Sequence, residues 1–516
     1  MSESSKPISV DKPLGGGLGG PPPDGGARAR AASWLGWGLV AGLGAVVLHV
    51  GWLSLPWPLI HDAPIMHYVA WRIGEGAVPY RDLFDMNFPG VYLMHLAVLR
   101  LLGSGDAAWR AFDLAWLGLA SLLVGALAAP WGRVAATGGA LFFAAYHLGA
   151  GAWQAGQRDF LLCPFLLAAA LGVVRFRERR DVVGLVVGGL ALGAGMTIKP
   201  HASLYAVALA LGVLLPAGRP GGARWKATAA FAASISVVPF GVVAWLGAIG
   251  ALGAWREIVV DYLIPLYSRL KGSDAWAVDR WSLWPVIVVA LVLSLAHLWI
   301  TRRFTFRHAV VTAGLGYGLL HYLGQGKGWE YHLYPLAAFA AVLLFSEVEA
   351  VLRLPRLRVG APLLAGLVMI VLMLGVTGAR TAEATWIWDK ERVVRLLTWD
   401  LQQRVSPGDT VQVLDTTDGG VHALLRLRLT EPTRFLYDFH FFHDPDQPAI
   451  RALRAEFMRA LDRDPPRYIV VFRSGWPAGG YERIERFPEL ARWLTTRYVI
   501  DERRPTYVIH AKRDRS

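Results

Sequence analysis

Eleven stretches of this 516-residue chain are nearly free of charge, and that repetition limits what it can become. They fall near 34–56, 106–128, 134–149, 160–175, 182–197, 202–216, 228–251, 282–300, 308–323, 333–350 and 360–377. Apolar runs of roughly 18 or more residues are long enough to cross a bilayer as helices. Composition agrees, with 54% hydrophobic residues, only 18% charged and a mean hydropathy of +0.38. A soluble domain of this length carries more charge. The pattern predicts an all-α polytopic membrane protein with about eleven transmembrane helices.

The loops between the runs are of two kinds. Short basic loops hold Arg133, "RFRERR" at 175–180, "GRPGGARWK" at 218–226, "TRRFTFR" at 301–307 and "RLPRLR" at 353–358. Acidic, aromatic or mixed loops lie at 57–105, 150–159, 252–281 and 324–331. Because Lys and Arg collect on the cytoplasmic side, the first set is expected there, with a cytoplasmic N-terminus. The same bias explains the net charge of +13, so no nucleic-acid partner is invoked and the expected partners include membrane lipids. Alternation requires that "FPGVYLMHLAVLRLLG" (88–103), which begins with Pro-Gly and holds His95 and Arg100, be a helix on the outer surface.

Residues 1–31, with "GGGLGGPPPDGGARARAA", have the composition of a disordered cytoplasmic tail. They lack a cleavable pattern, so the first span is expected to remain as an anchor. Residues 32–378 form the expected transmembrane domain. Beyond 379 the texture changes: "TVQVLDT", "RYIVVF" and "YVIDERRPTYVIHAK" read as strands, and 384–404, 447–463 and 484–496 as amphipathic helices. A small extracytoplasmic α/β domain at 379–516 is predicted. The single Cys163 leaves no disulfide framework and no cysteine metal site.

The outer loops carry the chemistry. Asp62 follows the first span and opens a helical pattern with Pro64 in its first turn. Asp is a favoured N-cap, so the position fits a cap as well as a catalytic carboxylate. Arg158 and Asp159 stand at the outer end of the fourth span, where an ion pair at a helix start is the plain alternative. "MTIKPHA" puts Lys199 and His201 in an outer turn, and "GQGKGWEYHLYP" does the same for Lys327, Glu330, Tyr331 and His332. Cations here oppose the usual charge bias, and charge at a bilayer edge is costly and often functional. Fixed positive groups suit a phosphate that gains charge as it leaves. The loop cluster His440, His443, Asp444 and Asp446 reads as solvated.

Asp62, "YRDLFDMNFPG", "GQRD", "TIKPHA" and "YHLYPLAAF", taken in order, resemble the GT-C superfamily of integral-membrane glycosyltransferases. The texture is nearest to the protein O-mannosyltransferase and aminoarabinose lipid A transferase branch. The resemblance covers about residues 34–350. It implies transfer of a sugar from a polyprenyl-phosphate donor to a lipid, glycan or protein acceptor at the extracytoplasmic face of the inner membrane, in the making of cell-envelope glycans. By resemblance Asp62 is the general base, or acts through a bound divalent cation, and Asp159 is the second acidic position. Donor-phosphate contacts are expected from Lys199 or His201, and from Lys327 and His332. Asp85, Asn87, Arg158 and Tyr331 complete the expected binding set.

The chain departs from lipid A transferases at "DMNFPG", where Asn87 replaces a lysine and a single Pro89 replaces a proline pair. No close metal-ligand spacing calls for zinc. The expected reaction is a single, inverting displacement. A lipid-linked sugar flippase or transporter is the rival class, and a polysaccharide polymerase is a neighbour in architecture. Transporters favour inverted repeats and broken midplane helices, whereas these ionisable residues crowd the outer boundary.

Overall fold

The computed structural model describes residues 25–215, 221–270, 283–354, 360–477 and 479–513. A helical bundle comes first in the chain. Its apolar helices are α1 (Gly25–Leu53), then, after two short helices α2 (Ala63–Gly74) and α3 (Pro89–Leu101), α4 (Asp106–Ala128), α5 (Arg133–Gly149), α6 (Arg158–Arg179), α7 (Val182–Ile198), α8 (Ser203–Leu214) and α9 (Gly221–Ala248). A six-residue α10 (Leu252–Glu257) precedes α11 (Trp284–Ile300), α12 (Phe306–Gln325), α13 (Tyr334–Leu352) and α14 (Ala361–Ala382).

Each of the eleven apolar runs coincides with one of these helices, and 88–103 is the separate α3. Among the described residues, six helical segments are long and apolar enough to cross a membrane unaided. Of the others, α5, α7 and α11 have 17 residues each and α8 has 12, whereas α12 has 20 but is less apolar. At 1.5 Å per residue, 17 residues span about 26 Å, slightly less than a typical hydrocarbon core. The tail expected over 1–31 falls partly on described residues. Residues 25–31 already belong to α1, because "ARARAA" is rich in strong helix formers that extend the span. Residues 1–24 lie outside the described residues.

Helices α6 and α13 form the centre of the bundle, with 83% and 89% of their apolar windows buried. Small residues let their neighbours approach. A Cβ at Gly318 of α12 would lie 2.5 Å from the Leu336 Cα, so glycine is required where α12 closes on α13. One end of the bundle gathers the basic loops. There Arg307 pairs with Glu178 at 2.6 Å, and Arg353 donates to the Trp131 carbonyl at 2.8 Å. The opposite end carries α2, α3, the 150–157 turn, Lys199 and 326–333. A Cβ at Gly90 would lie 2.8 Å from the Thr197 backbone, so α3 can start against the end of α7 only with glycine there.

The C-terminal part begins with α15 (Thr385–Gln402) and holds α16 (Gly420–Leu427), α17 (Pro448–Arg463) and α18 (Pro488–Arg497). Its strands β1 (Val411–Leu414), β2 (Tyr468–Phe472), β3 (Tyr498–Arg503) and β4 (Tyr507–Lys512) form one sheet in the order β1-β2-β4-β3. β1 and β2 are parallel, joined through α16 and α17, whereas β4 runs antiparallel to both its neighbours. All five residues of β2 are buried, as a strand covered on both faces requires.

This unit sits on the end of the bundle that carries α2 and α3. Tyr68 donates to the Leu429 carbonyl at 3.3 Å, and the Phe84 ring lies 5.2 Å from Phe435. Tyr262 bonds both His440 Nδ1, at 2.7 Å, and His443 Nε2, at 2.8 Å. The two histidines are therefore buried against the bundle, not solvated, whereas Asp444 and Asp446 are exposed. Their loop is held by Asp438, which accepts two bonds from Arg483 at 2.9 and 2.7 Å. Arg483 also donates to the Phe472 carbonyl at 2.6 Å and is fully buried. Removing one partner of a buried pair leaves the other uncompensated. Arg483→Ala should thus lower the stability of the C-terminal unit by about 3–5 kcal/mol, read as a lower denaturation midpoint and earlier proteolysis after residue 384 than within the bundle.

Candidate active site

Arg158 and Asp159 are the first two residues of α6, after an N-cap at Gln157. Consecutive helical residues point about 100° apart, so the two opposite charges reach different neighbours.

Arg158 turns toward the outer loop. Its Nη2 donates to Asp62 Oδ2 at 3.0 Å, and its Nη1 donates to Asn87 Oδ1. Asn87 in turn donates its backbone N–H and its side-chain amide to Asp85 Oδ1, at 2.9 and 2.7 Å. Asp62 occupies the N-cap position of α2, yet its side chain caps nothing. Instead it takes the Arg158 bond, a bond from His61 Nδ1 at 3.0 Å and a longer one from Gln157 at 3.4 Å. Burial alone would raise the Asp62 carboxyl, but His61 and Arg158 hold it well below the usual carboxylate range. His61 adopts a left-handed φ of 62° and stacks on Trp153, ring centres 4.2 Å apart.

Asp85 is a different group. It is 1% exposed, and burial pushes its carboxyl up to about 6 despite the Asn87 bonds.

Asp159 turns the other way. His321 Nε2 lies 2.5 Å from its Oδ1, Gln325 donates at 3.3 Å, and Lys199 Nζ lies 3.3 Å from its Oδ2. Lys199 also donates to Gln325 at 2.9 Å, and His201 Nε2 lies 2.7 Å from His321 Nδ1. His332 abuts this group through the His321 ring at 6.1 Å. Its Nδ1 is buried without a hydrogen-bond partner among the described residues. Asp159 is fully buried, whereas the Asp62 side chain keeps 17% of its exposure. Of the two acids, only Asp62 is open to a ligand.

The structure thus joins Asp62, Asp85, Asn87 and Arg158 in one network and Asp159, Lys199 and His201 in a second, meeting at the start of α6. Tyr331 lies between them, within the electrostatic reach of Asp62, Arg158 and Asp159. Lys327 stands apart. Its Nζ donates to the Tyr267 carbonyl at 2.7 Å and to the Leu270 carbonyl, and burial lowers it to about 8. These two bonds tie it to the 267–270 turn. Sequence reading missed His321, in a run valued only for its hydropathy, and Gln325, the second residue of "GQGKGWEYHLYP". Their signal was a polar stripe, Tyr317, His321 and Gln325, at four-residue spacing on one helix face. It also missed Tyr267 and Tyr437, both of which sense Asp62, Arg158 and Asp85.

A divalent cation does not fit these residues well. The Arg158 guanidinium already occupies the space beside Asp62 that such an ion would take. Among the described residues, no three acidic, histidine or cysteine groups converge for a metal. A cavity of about 520 Å³ is lined in part by Tyr331 and by His61, the residue that bonds Asp62.

Comparison with known proteins gives a fold and a family match over part of the chain. Residues 88–245 match the family described as dolichyl-phosphate-mannose-protein mannosyltransferase. No curated protein matches the sequence. ArnT from Cupriavidus metallidurans bound to undecaprenyl phosphate superposes with a TM-score of 0.59 and 13% identity, over 92% of this chain and 98% of that one. Its apo state gives 0.57 and 14%, over 93% and 98%. The archaeal oligosaccharyltransferase AglB from Archaeoglobus fulgidus, in complex with an inhibitory peptide and a dolichol-phosphate, gives 0.51 and 12%, over 89% and 71%. The chain has the GT-C fold of integral-membrane glycosyltransferases, the superfamily that its motifs resemble.

Proposed function

We propose that this protein transfers a sugar from a polyprenyl-phosphate-linked donor to an acceptor nucleophile, with inversion at the anomeric carbon and Asp62 as the base. The observation that carries this reading is the Asp62 carboxylate, held ionised by Arg158 and left partly open beside a cavity. The fold shared with ArnT supports it, as does the family match over 88–245. The basic end of the bundle would face the cytoplasm of the inner membrane and the Asp62 end the outside, as the charge bias of the loops argues.

In the reaction, the acceptor oxygen or nitrogen attacks C1 of the donor sugar from the face opposite the phosphate. The C1–O bond breaks with its electron pair going to the phosphate, and the acceptor proton passes to Asp62. A carboxylate held so far below its usual range is a weak base. It therefore takes the proton late, once C1 has gained positive, oxocarbenium-like character. The leaving phosphate gathers negative charge, and Arg158, with Lys199 behind it, supplies fixed positive potential at that end of the bundle. Asp159 acts one step removed: as a fully buried carboxylate it holds Lys199 and His321 in place.

Asp62→Asn should keep the shape and lower kcat by about 10²–10⁴, with insertion and thermal midpoint preserved. The assay follows labelled sugar from polyprenyl-phosphate donor to new acceptor, and the product should show the opposite anomeric configuration by proton coupling. Equal turnover by the variant, or movement of intact lipid between leaflets without transfer, would overturn the reading.

The pH profile gives a second test. Because Asp62 lies below the usual carboxylate range, the acid limb of kcat/KM should fall below that range in the parent. Arg158→Gln removes a cation that favours the ionised form, so the limb should move to higher pH. A parent limb near pH 6 would assign the essential carboxylate to Asp85 instead.

A further inference from the structure

The cavity that ends on His61 has walls the transfer chemistry does not use. Trp153, Trp329 and Trp386 line it, with Gln154, Glu330 and Lys390. Trp153 and Trp386 keep 39% and 38% of their surface exposed, their ring centres 6.5 Å apart at an interplanar angle of 67°. Tryptophans also gather at bilayer interfaces as belts, but these rings come from α5–α6, α12–α13 and α15 and converge on one hollow. Gln154 is 6% exposed, and its Oε1 is buried without a hydrogen-bond partner among the described residues. A buried amide left unsatisfied in a cavity wall is costly unless a ligand completes it.

The cavity continues outward. A second hollow of about 320 Å³ shares Trp386 and Lys390 with it and is lined further on by Asp418, Ser474 and Thr506 of the C-terminal unit. Lys390 Nζ lies 3.8 Å from Asp418 Oδ1 at the join. At the inner end, His61 stacks on Trp153 while its Nδ1 bonds Asp62. One side chain separates the aromatic wall from the proposed base.

We infer that this cleft is the acceptor site and that the acceptor is a carbohydrate chain, seated on Trp153 and Trp386 with its terminal hydroxyl directed at Asp62. A pyranose ring has an apolar C–H face and a polar rim. The flat tryptophan faces suit the first, and Gln154 with hydroxyl and carboxylate groups suits the second. At about 520 Å³ the inner hollow falls in the usual size range of small-ligand sites, about 300–1,000 Å³. An acidic lipid headgroup would need a surplus of cations, yet Lys390 is opposed by Asp418, and Glu330 adds a second acid to the lining. The second hollow lies against the C-terminal unit. The inference rests on the transfer reading: the sugar hydroxyl loses its proton to Asp62 as its oxygen bonds to the donor C1 and the phosphate departs.

The test uses the full chain in nanodiscs and a panel of neutral oligosaccharides of two to six units (roughly, following the size of the two hollows). Saturation-transfer NMR reads binding through the sugar C–H protons. The parent should bind at least one member, and Asp62→Asn should bind it equally while failing to transfer. Trp386→Ala and Trp153→Ala should each weaken binding roughly tenfold, with Trp386→Phe restoring most of it and thermal midpoints unchanged. No binding by any member, equal binding by the alanine variants, or transfer to a peptide or sugar-free lipid that ignores Trp386→Ala would overturn the carbohydrate assignment. The last outcome would leave the transferase reading standing. Sugar binding by the parent with no transfer from the polyprenyl-phosphate donor would instead strike the transferase reading alone.

Discussion

Two adjacent residues of opposite sign, Arg158 and Asp159, hold this end of the molecule together. Charges at the edge of a bilayer survive only when paired or hydrogen-bonded. The first turn of α6 meets that requirement in two directions at once. Arg158 gathers Asp62 and Asn87 from the loop between α1 and α4, whereas Asp159 gathers Lys199, His321 and Gln325 from the ends of α7 and α12. Four separate parts of the chain are thereby fixed relative to one helix start. The division of labour follows from burial: the fully enclosed acid organises, and the partly open acid is available to react.

The same arrangement resolves the ambiguity of an aspartate at a helix start. An Asp at an N-cap ordinarily spends its carboxylate on the backbone N–H groups of its own helix. Asp62 occupies that position without doing so, because a guanidinium and an imidazole outcompete the neutral donors. The helix N-terminus and the two side chains then act in the same electrostatic direction, each favouring the anion. Asp85, only 23 positions on and in the same loop, lacks a direct cation and is held up by burial instead. Two carboxylates in one loop therefore differ in charge state at mild acidity because of their surroundings alone.

Much of this was legible in the sequence. A bilayer punishes unsatisfied polar groups, so the apolar runs had to be helices, and 88–103, short and begun by Pro-Gly, had to stay outside them. Asp62, Arg158, Asp159 and Lys199 stood out because charge beside an apolar run demands a reason. His321 did not, since a polar residue inside a span is diluted by its neighbours in any hydropathy average, and Gln325, just past the run, carries no charge to mark it. The burial of His440 and His443 was invisible for another reason: it depends on Tyr262, 178 and 181 positions away, and short-range patterns carry no record of such contacts. The extension of α1 to Gly25 was lost because glycine and proline nearby outweighed a short alanine–arginine segment.

The bond from Tyr68 to the Leu429 carbonyl joins residues 361 positions apart. A ribosome delivers the two ends of that clasp at very different times. Helices α2 and α3 emerge early and wait, uncovered, while the bundle is laid into the bilayer, and their lid arrives with the last portion of the polypeptide. Contacts so distant in sequence form late. A half-made chain accordingly carries the charged residues of this end of the bundle without the unit that comes to cover them.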